Sequence, residues 1–214
     1  MSIIDFTVGL ELEHLNGWNL FAVNSIRNCK ISIHIYNTLA NSWNNANRFV
    51  DTDLNYSGSA FETQNVDRYC ILQEVATNAQ SSCNSNVFEN FYFDWAQPGT
   101  SGTYNCGYFE SLSHSIFLNC RFECHGTGAK GFTFDTSTET SPVCKNNRII
   151  GVTYVSGGVL DDITIIRNNN AWQLSTYEIL CESENKPLFP LYSHRFTAQD
   201  SIKIHNDYNV PRFN

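Results

Sequence analysis

The chain has 214 residues and a formal net charge of −8, with 16% charged and 14% aromatic residues. No stripe of Lys and Arg runs along it, which excludes a surface that tracks nucleic-acid phosphates, and no stretch nears the roughly 20 consecutive apolar residues of a membrane helix. With charges this sparse, the structure must rest on apolar contacts and on Asn, Ser and Thr, a profile that favours strands over surface helices.

The amino terminus, Met1-Ser2-Ile3-Ile4-Asp5, lacks the basic start and apolar stretch of a secretory signal. A repeat begins there. Residues 3–8 read as a degenerate first copy, followed by residues 24–31, 47–54, 86–93, 115–122 and 147–154. The shared form is an apolar residue, a variable one, then Asn, Asp or Gly, then positions in which every second side chain is mostly apolar. Asn and Gly tolerate the positive φ of a tight corner, and period-two alternation buries one face of a strand. The pattern therefore predicts a corner feeding a half-buried strand. Counted from Ile3, Ile26, Phe49, Phe88, Phe117 and Ile149, the copies stack Cys29, Thr52, Phe91, Cys120 and Val152 in one column. Ile31, Leu54, Phe93, Phe122 and Tyr154 form a second, and the corners fall at Asn28, Asp51, Asn90 and Asn119. A weaker repeat, Phe61-Glu62, Phe109-Glu110, Phe134-Asp135 and Leu160-Asp161, adds a further strand to each copy. From about residue 171 the pattern fades, and three of the five prolines (Pro187, Pro190, Pro211) lie beyond that point.

Short strands recurring without helical periodicity predict an all-β chain: a right-handed parallel β-helix, or solenoid, over residues 1–170 with an irregular C-terminal cap or oligomerisation tail over residues 171–214. An antiparallel sandwich explains the alternation but not the aligned columns. Asn side chains stacked at the corners can also hydrogen-bond along the axis. The N-x-[FI]-x-[ND] segments, aromatic strands such as Phe91-Tyr92-Phe93-Asp94-Trp95 and the repeat length resemble the pectate-lyase-type β-helix and, within it, bacteriophage tailspike proteins. The resemblance covers about residues 3–166 and is one of architecture. It implies a homotrimer on the virion, working with other phage tail proteins, that binds and in many cases depolymerises a bacterial surface polysaccharide as host receptor. No cofactor and no membrane insertion are implied.

Six positions past each repeat start lie outward residues Ser32, Asn55, Asp94, Glu123 and Val155. Asp94 and Glu123 thus fall on consecutive copies, where strands about 4.8 Å apart could bring two carboxyls to the roughly 5–5.5 Å of a retaining glycosidase. Two positions earlier, Asp53, Tyr92 and Arg121 offer an acid, an aromatic platform and a cation for a sugar. A second acidic column, Glu62, Glu110, Asp135 and Asp161, suits general acid catalysis or a cation-dependent lyase if its charges are unrelieved, and a solvated surface if Arg or Lys neutralises them. Glu110 and Asp135 join Asp94 and Glu123 as catalytic candidates. Tyr104 and Tyr108, near the breaker-rich residues 97–104, are candidates for stacking on sugar. Three readings stay open: a glycan hydrolase, a lyase with Arg121 or Lys130 as base, and a non-catalytic adhesive or structural virion component.

Eight cysteines are too many to ignore, but Cys120 and Cys124 sit four apart in a strand, roughly 13 Å between Cα atoms, beyond disulfide reach. Buried free thiols are the expectation, and no metal site is assigned, since Cys120, Cys124 and His125 lack a second ligand pair. Gly126-Thr127-Gly128-Ala129-Lys130-Gly131 matches a dinucleotide fingerprint, yet a strand pattern follows it where a helix is needed.

Overall fold

In a computed structural model of the chain, the described residues are 1–14, 16–37, 42–56, 67–75, 83–95, 104–124, 129–135, 144, 147–156, 160–167, 176–183 and 201–206. These are all β, and every strand pairing among them is parallel. Three stacks carry the structure. The first holds Leu20–Ala22, Arg48–Val50, Val87–Glu89 and Ile116–Leu118; the second holds Ser2–Ile4, Ser25–Arg27, Asp53–Tyr56, Tyr92–Trp95 and Arg121–Cys124. Both end on the long strand Asn147–Ser156, which pairs with each. The third stack runs Val8–Glu13, Ile31–Asn37, Arg68–Val75, Tyr104–Phe109, Ala129–Asp135, Leu160–Arg167. Parallel pairing continues into the segment read as a cap: Thr176–Ser183 lies beside Asn147–Ser156, and Ser201–Asn206 beside Thr176–Ser183.

Between consecutive strands the backbone turns through left-handed residues. Trp18, Ala46, Ser85 and His114 have φ of 50–57°, as do Asp51, Asn90 and Asn119 at the next corner. Directly after the first of these corners stands a buried polar ladder, Asn47, Asn86, Ser115, Asn147. The Asn47 N–H donates to Asn86 Oδ1 at 2.9 Å, the Asn86 N–H to Ser115 Oγ at 3.1 Å, and the Ser115 N–H to Asn147 Oδ1 at 3.0 Å. The amide nitrogens of Asn86 and Asn147 each donate to a main-chain carbonyl, of Asn44 and Leu112, both at 2.8 Å. Where a corner takes the backbone out of the strand ladders, these side chains supply the missing partner; a buried N–H left without one costs about 1–3 kcal/mol.

The apolar columns pack between the stacks. Phe21, Phe49, Phe88 and Phe117 stack nearly parallel, with ring centroids 4.8–4.9 Å apart, the spacing of the strands that carry them. Phe93 and Phe122 repeat the arrangement at 4.8 Å, and Phe109, Phe132 and Phe134 close the core from the third stack. Gly107 lies under this layer: a Cβ there would come within 2.6–2.8 Å of the Phe109 and Phe132 rings. The six cysteines whose side chains are described, 29, 70, 83, 106, 120 and 144, are buried and free. Burial pushes the thiols of Cys83 and Cys120 up to about 12, which leaves them inert as nucleophiles.

The columns expected from Phe49 onward are in register: Phe49 pairs Phe88, Phe88 pairs Phe117, and Leu54, Phe93, Phe122 and Tyr154 follow one another. The first copy is shifted. Phe21, not Ile26, lies beside Phe49, while Ile26 sits between Ile3 and Leu54. Cys29 and Ile31 therefore leave the two columns, and the Asn28 corner stacks with Asp5 instead of Asp51. Asp5 N–H reaches the Arg27 carbonyl at 3.1 Å, and Asn28 N–H reaches that of Asn55 at 2.9 Å. The cause is Val23. It occupies the position of Asp51 in this copy, carries no Asn, Asp or Gly signature and is absent from the left-handed residues.

Replacing Phe88 by Ala is expected to cost about 3–5 kcal/mol in urea unfolding, the range for losing a core aromatic. Asn86→Leu should cost about 1–3 kcal/mol by stranding the Asn47 N–H, whereas Asn86→Ser, which copies the natural Ser115, should cost less.

Candidate functional site

The second stack turns an outward row of polar side chains away from the phenylalanine core. Leu54, Phe93 and Phe122 point inward and are buried, so their chain neighbours Asp53 and Asn55, Tyr92 and Asp94, Arg121 and Glu123 face the other way. Asp94 and Glu123 are register partners, as expected, and Asn55 and Val155 flank them. The place expected for Ser32 belongs to Arg27; Ser32 is buried on the third stack.

Each acid of the row is engaged by a neighbour one strand away or on its own strand. Arg27 Nη2 donates to Asp53 Oδ2 at 2.8 Å, and Asn55 Nδ2 to Asp94 Oδ2 at 2.6 Å. Glu123 Oε2 accepts from the Tyr92 hydroxyl and, at 3.1 Å, from Arg121 Nη2. The Arg121 guanidinium also lies 5.1 Å from the centroid of the Tyr92 ring and covers one of its faces. Burial, then the hydrogen bond to Glu123, push the Tyr92 phenol well above its ordinary value, so Tyr92 is a hydrogen-bond donor across the accessible pH range. Asp53 Oδ1 and Asn55 Oδ1 are buried and without a hydrogen-bond partner, so the outward-facing polar atoms of the row are the others.

The remaining candidates are not in this row. Tyr104, Tyr108, Glu110 and Asp135 all belong to the third stack. Tyr104 is buried, its hydroxyl 3.2 Å from Arg68 Nη1 and its ring under that guanidinium, so it offers no stacking face. Tyr108 is half-buried and meets Tyr69 edge to face at 6.0 Å. The Glu110 carboxylate accepts the Val75 N–H at 2.9 Å, a structural role at the end of strand Arg68–Val75. The second acidic column is not continuous: Leu160 pairs Ala129, not Phe134, so Phe134 meets Ile166 and Asp135 meets Arg167 in place of Asp161. Glu62, residues 97–103 and His125 lie outside the described residues, as do the side chains of Trp95, Cys124, Lys130 and Asp135. The glycine fingerprint runs straight into strand Ala129–Asp135, which rules out the helix that nucleotide binding needs there.

Among the described residues no group of three or more His, Cys, Asp and Glu side chains is placed to hold a metal ion, and no helix is long and apolar enough to cross a membrane. No family model, no curated protein and no solved structure matches the chain.

Arg27, and with it the pairing that neutralises Asp53, was hidden from sequence reasoning by the shift of the first copy. The Tyr92–Glu123–Arg121 cluster was legible, since its three members fall in copies whose spacing is correct. Removing the Glu123 charge is expected to lower the pH at which Tyr92 ionises. A tyrosine-ring NMR titration of Glu123→Gln against the wild type measures this, and an unchanged Tyr92 titration would show that the pair does not form in solution.

Proposed function

We propose that the chain is a right-handed parallel β-helix of the tailspike type that recognises a bacterial surface polysaccharide through the outward row of its second stack. The architecture part of this reading draws on the parallel pairing of every described strand and on the return of the chain to its own edge after 23, 28, 39, 29 and 32 residues. The resemblance supplies the setting: a homotrimer on the virion beside other tail proteins. The observation that carries the binding function is the row itself. From Arg27 through Asn55 and Asp94 to Glu123, a guanidinium, an amide and two carboxylates follow one another at the strand spacing along the stacking axis, over roughly 14 Å. A polyhydroxylated polymer lying along that axis meets a hydrogen-bonding side chain at each step.

Hydrolysis is the second reading, favoured by the pairing of Asp94 with Glu123 on adjacent strands. Binding ranks above it because both carboxylates already accept hydrogen bonds, whereas a glycosidase acid must give a proton to the leaving oxygen.

The test is a panel of purified bacterial capsules and lipopolysaccharides presented to the full chain. One or more should bind, and Asp94→Asn and Arg121→Ala should each weaken that binding by about tenfold, or ~1.4 kcal/mol. Release of reducing ends that Glu123→Gln abolishes would move the reading to hydrolysis, and an ultraviolet-absorbing product would move it to a lyase. Failure of every glycan to bind would remove the proposal.

A further inference from the structure

His34 stands on the outer face of the third stack, in the middle of three parallel strands, and is bonded to carboxylates on both sides. Its Nδ1 lies 3.1 Å from Glu11 Oε1 and its Nε2 lies 3.0 Å from Glu74 Oε2. Glu11 is the direct register partner of His34 on Val8–Glu13; Glu74 reaches across from Arg68–Val75, two positions beyond the partner Leu72. The imidazole is 8% exposed and its ring stacks on Tyr36 at 5.2 Å, so it cannot swing away, while the two carboxylates are half exposed at their outer ends.

An ionised carboxylate only accepts hydrogen bonds, and a neutral imidazole has a single N–H. Both contacts are therefore hydrogen bonds only when the ring carries two protons. In the neutral ring one nitrogen turns a lone pair toward a carboxylate oxygen at the same short distance, and that contact becomes repulsive. We propose that His34 is a proton-operated clip that ties residues 8–13, 31–37 and 68–75 together when charged and releases one of its two neighbours when neutral.

The groups facing it on the packed strands favour the charged ring. Val8–Glu13 presents Glu11 and Glu13, and Arg68–Val75 presents Glu74 and Tyr69, with Asp67 just before it. Tyr36 lies on its own strand, and the one cation on the facing strand, Arg68, is buried against Tyr104. Burial alone lowers the imidazole value, but the hydrogen bonds and charges of Glu74 and then Glu11 outweigh it, and the net shift is upward from 6.5. A raised folded value means the stabilisation is complete below the unfolded value near 6.5 and is lost as pH rises through the higher folded value.

The experiment is thermal unfolding of the full chain and of His34→Gln between pH 6 and pH 9, with an NMR titration of the His34 ring. The wild type should melt about 2–4 °C above the variant at pH 6, and that margin should shrink as pH rises. The ring should titrate above its ordinary value, and Glu74→Gln should bring the titration down. A margin that stays flat with pH would overturn the clip. So would a His34 ring that titrates at or below its ordinary value, a reading the wild type and Glu74→Gln provide even if His34→Gln fails to fold.

Discussion

The structure depends on closing its corners in a dry interior. At the left-handed corners Ala46, Ser85 and His114 the main chain turns out of one strand toward the next, and the N–H that follows meets a side chain instead of a main-chain carbonyl. Asn47, Asn86, Ser115 and Asn147 solve this with one side chain per copy, each accepting the N–H of the preceding copy. The chemistry explains the residue types. Asn accepts with its oxygen and donates its amide to a main-chain carbonyl of the preceding copy, whereas Ser115 uses one hydroxyl for both, accepting from Asn86 and donating within its own corner to Ser113 at 3.0 Å. An ionised Asp has no proton for the second bond. Because each corner is completed by the next copy, the copies must stay in register, and in-register copies bring Phe49, Phe88 and Phe117 into a ring stack at the strand spacing.

That dependence sets what the sequence discloses. Where a corner carries Asn or Asp, as at Asp51, Asn90 and Asn119, the register follows from reading the columns, and Asp94 duly meets Glu123. Where the corner is Val23 the signature is missing, while the next corner along, Asn28, displays it; the copy is then read one corner late. The error carries Ser32 into the outward row in place of Arg27. A second failure comes from matching Leu160-Asp161 to Phe134-Asp135 on likeness alone: Leu160 opens its strand beside Ala129, so Arg167 and not Asp161 stands opposite Asp135. Which of the three faces a residue occupies was also not legible: the weaker repeat gave Glu110 and Asp135 a strand but not a stack, and so could not separate them from Asp94 and Glu123.

In-register parallel stacking imposes an electrostatic cost on any acid repeated in consecutive copies. Two carboxylates about 5 Å apart repel by about 3 kcal/mol at an effective dielectric of about 20, enough to disturb a domain held by only several kcal/mol. The chain meets this with partners drawn from neighbouring strands and, for Arg121, from the same strand. Arg27 takes Asp53, Asn55 takes Asp94, Arg121 and Tyr92 take Glu123, Arg48 takes Glu89, and His34 takes both Glu11 and Glu74. Apart from the Asn55 amide these are cations or a phenol, so these stacked acids of the described residues are not left bare.

The same partnering bears on what the outward row can do. A retaining glycosidase needs one carboxyl protonated beside one ionised, and environments that push the two apart in proton affinity. Here both acids serve as acceptors, Asp94 from the Asn55 amide and Glu123 from the Tyr92 phenol and the Arg121 guanidinium, and each is held by a contact that weakens if it takes up a proton. A row whose carboxylates are both engaged in this way is poorly placed to supply the donor proton. It does have fixed orientation, because side chains locked by cross-strand bonds lose little freedom when a ligand arrives. Recognition of a long polymer rewards that property, since many modest contacts add up only if they are held ready in the right places, and the strand ladder spaces them without requiring any loop to fold around the ligand.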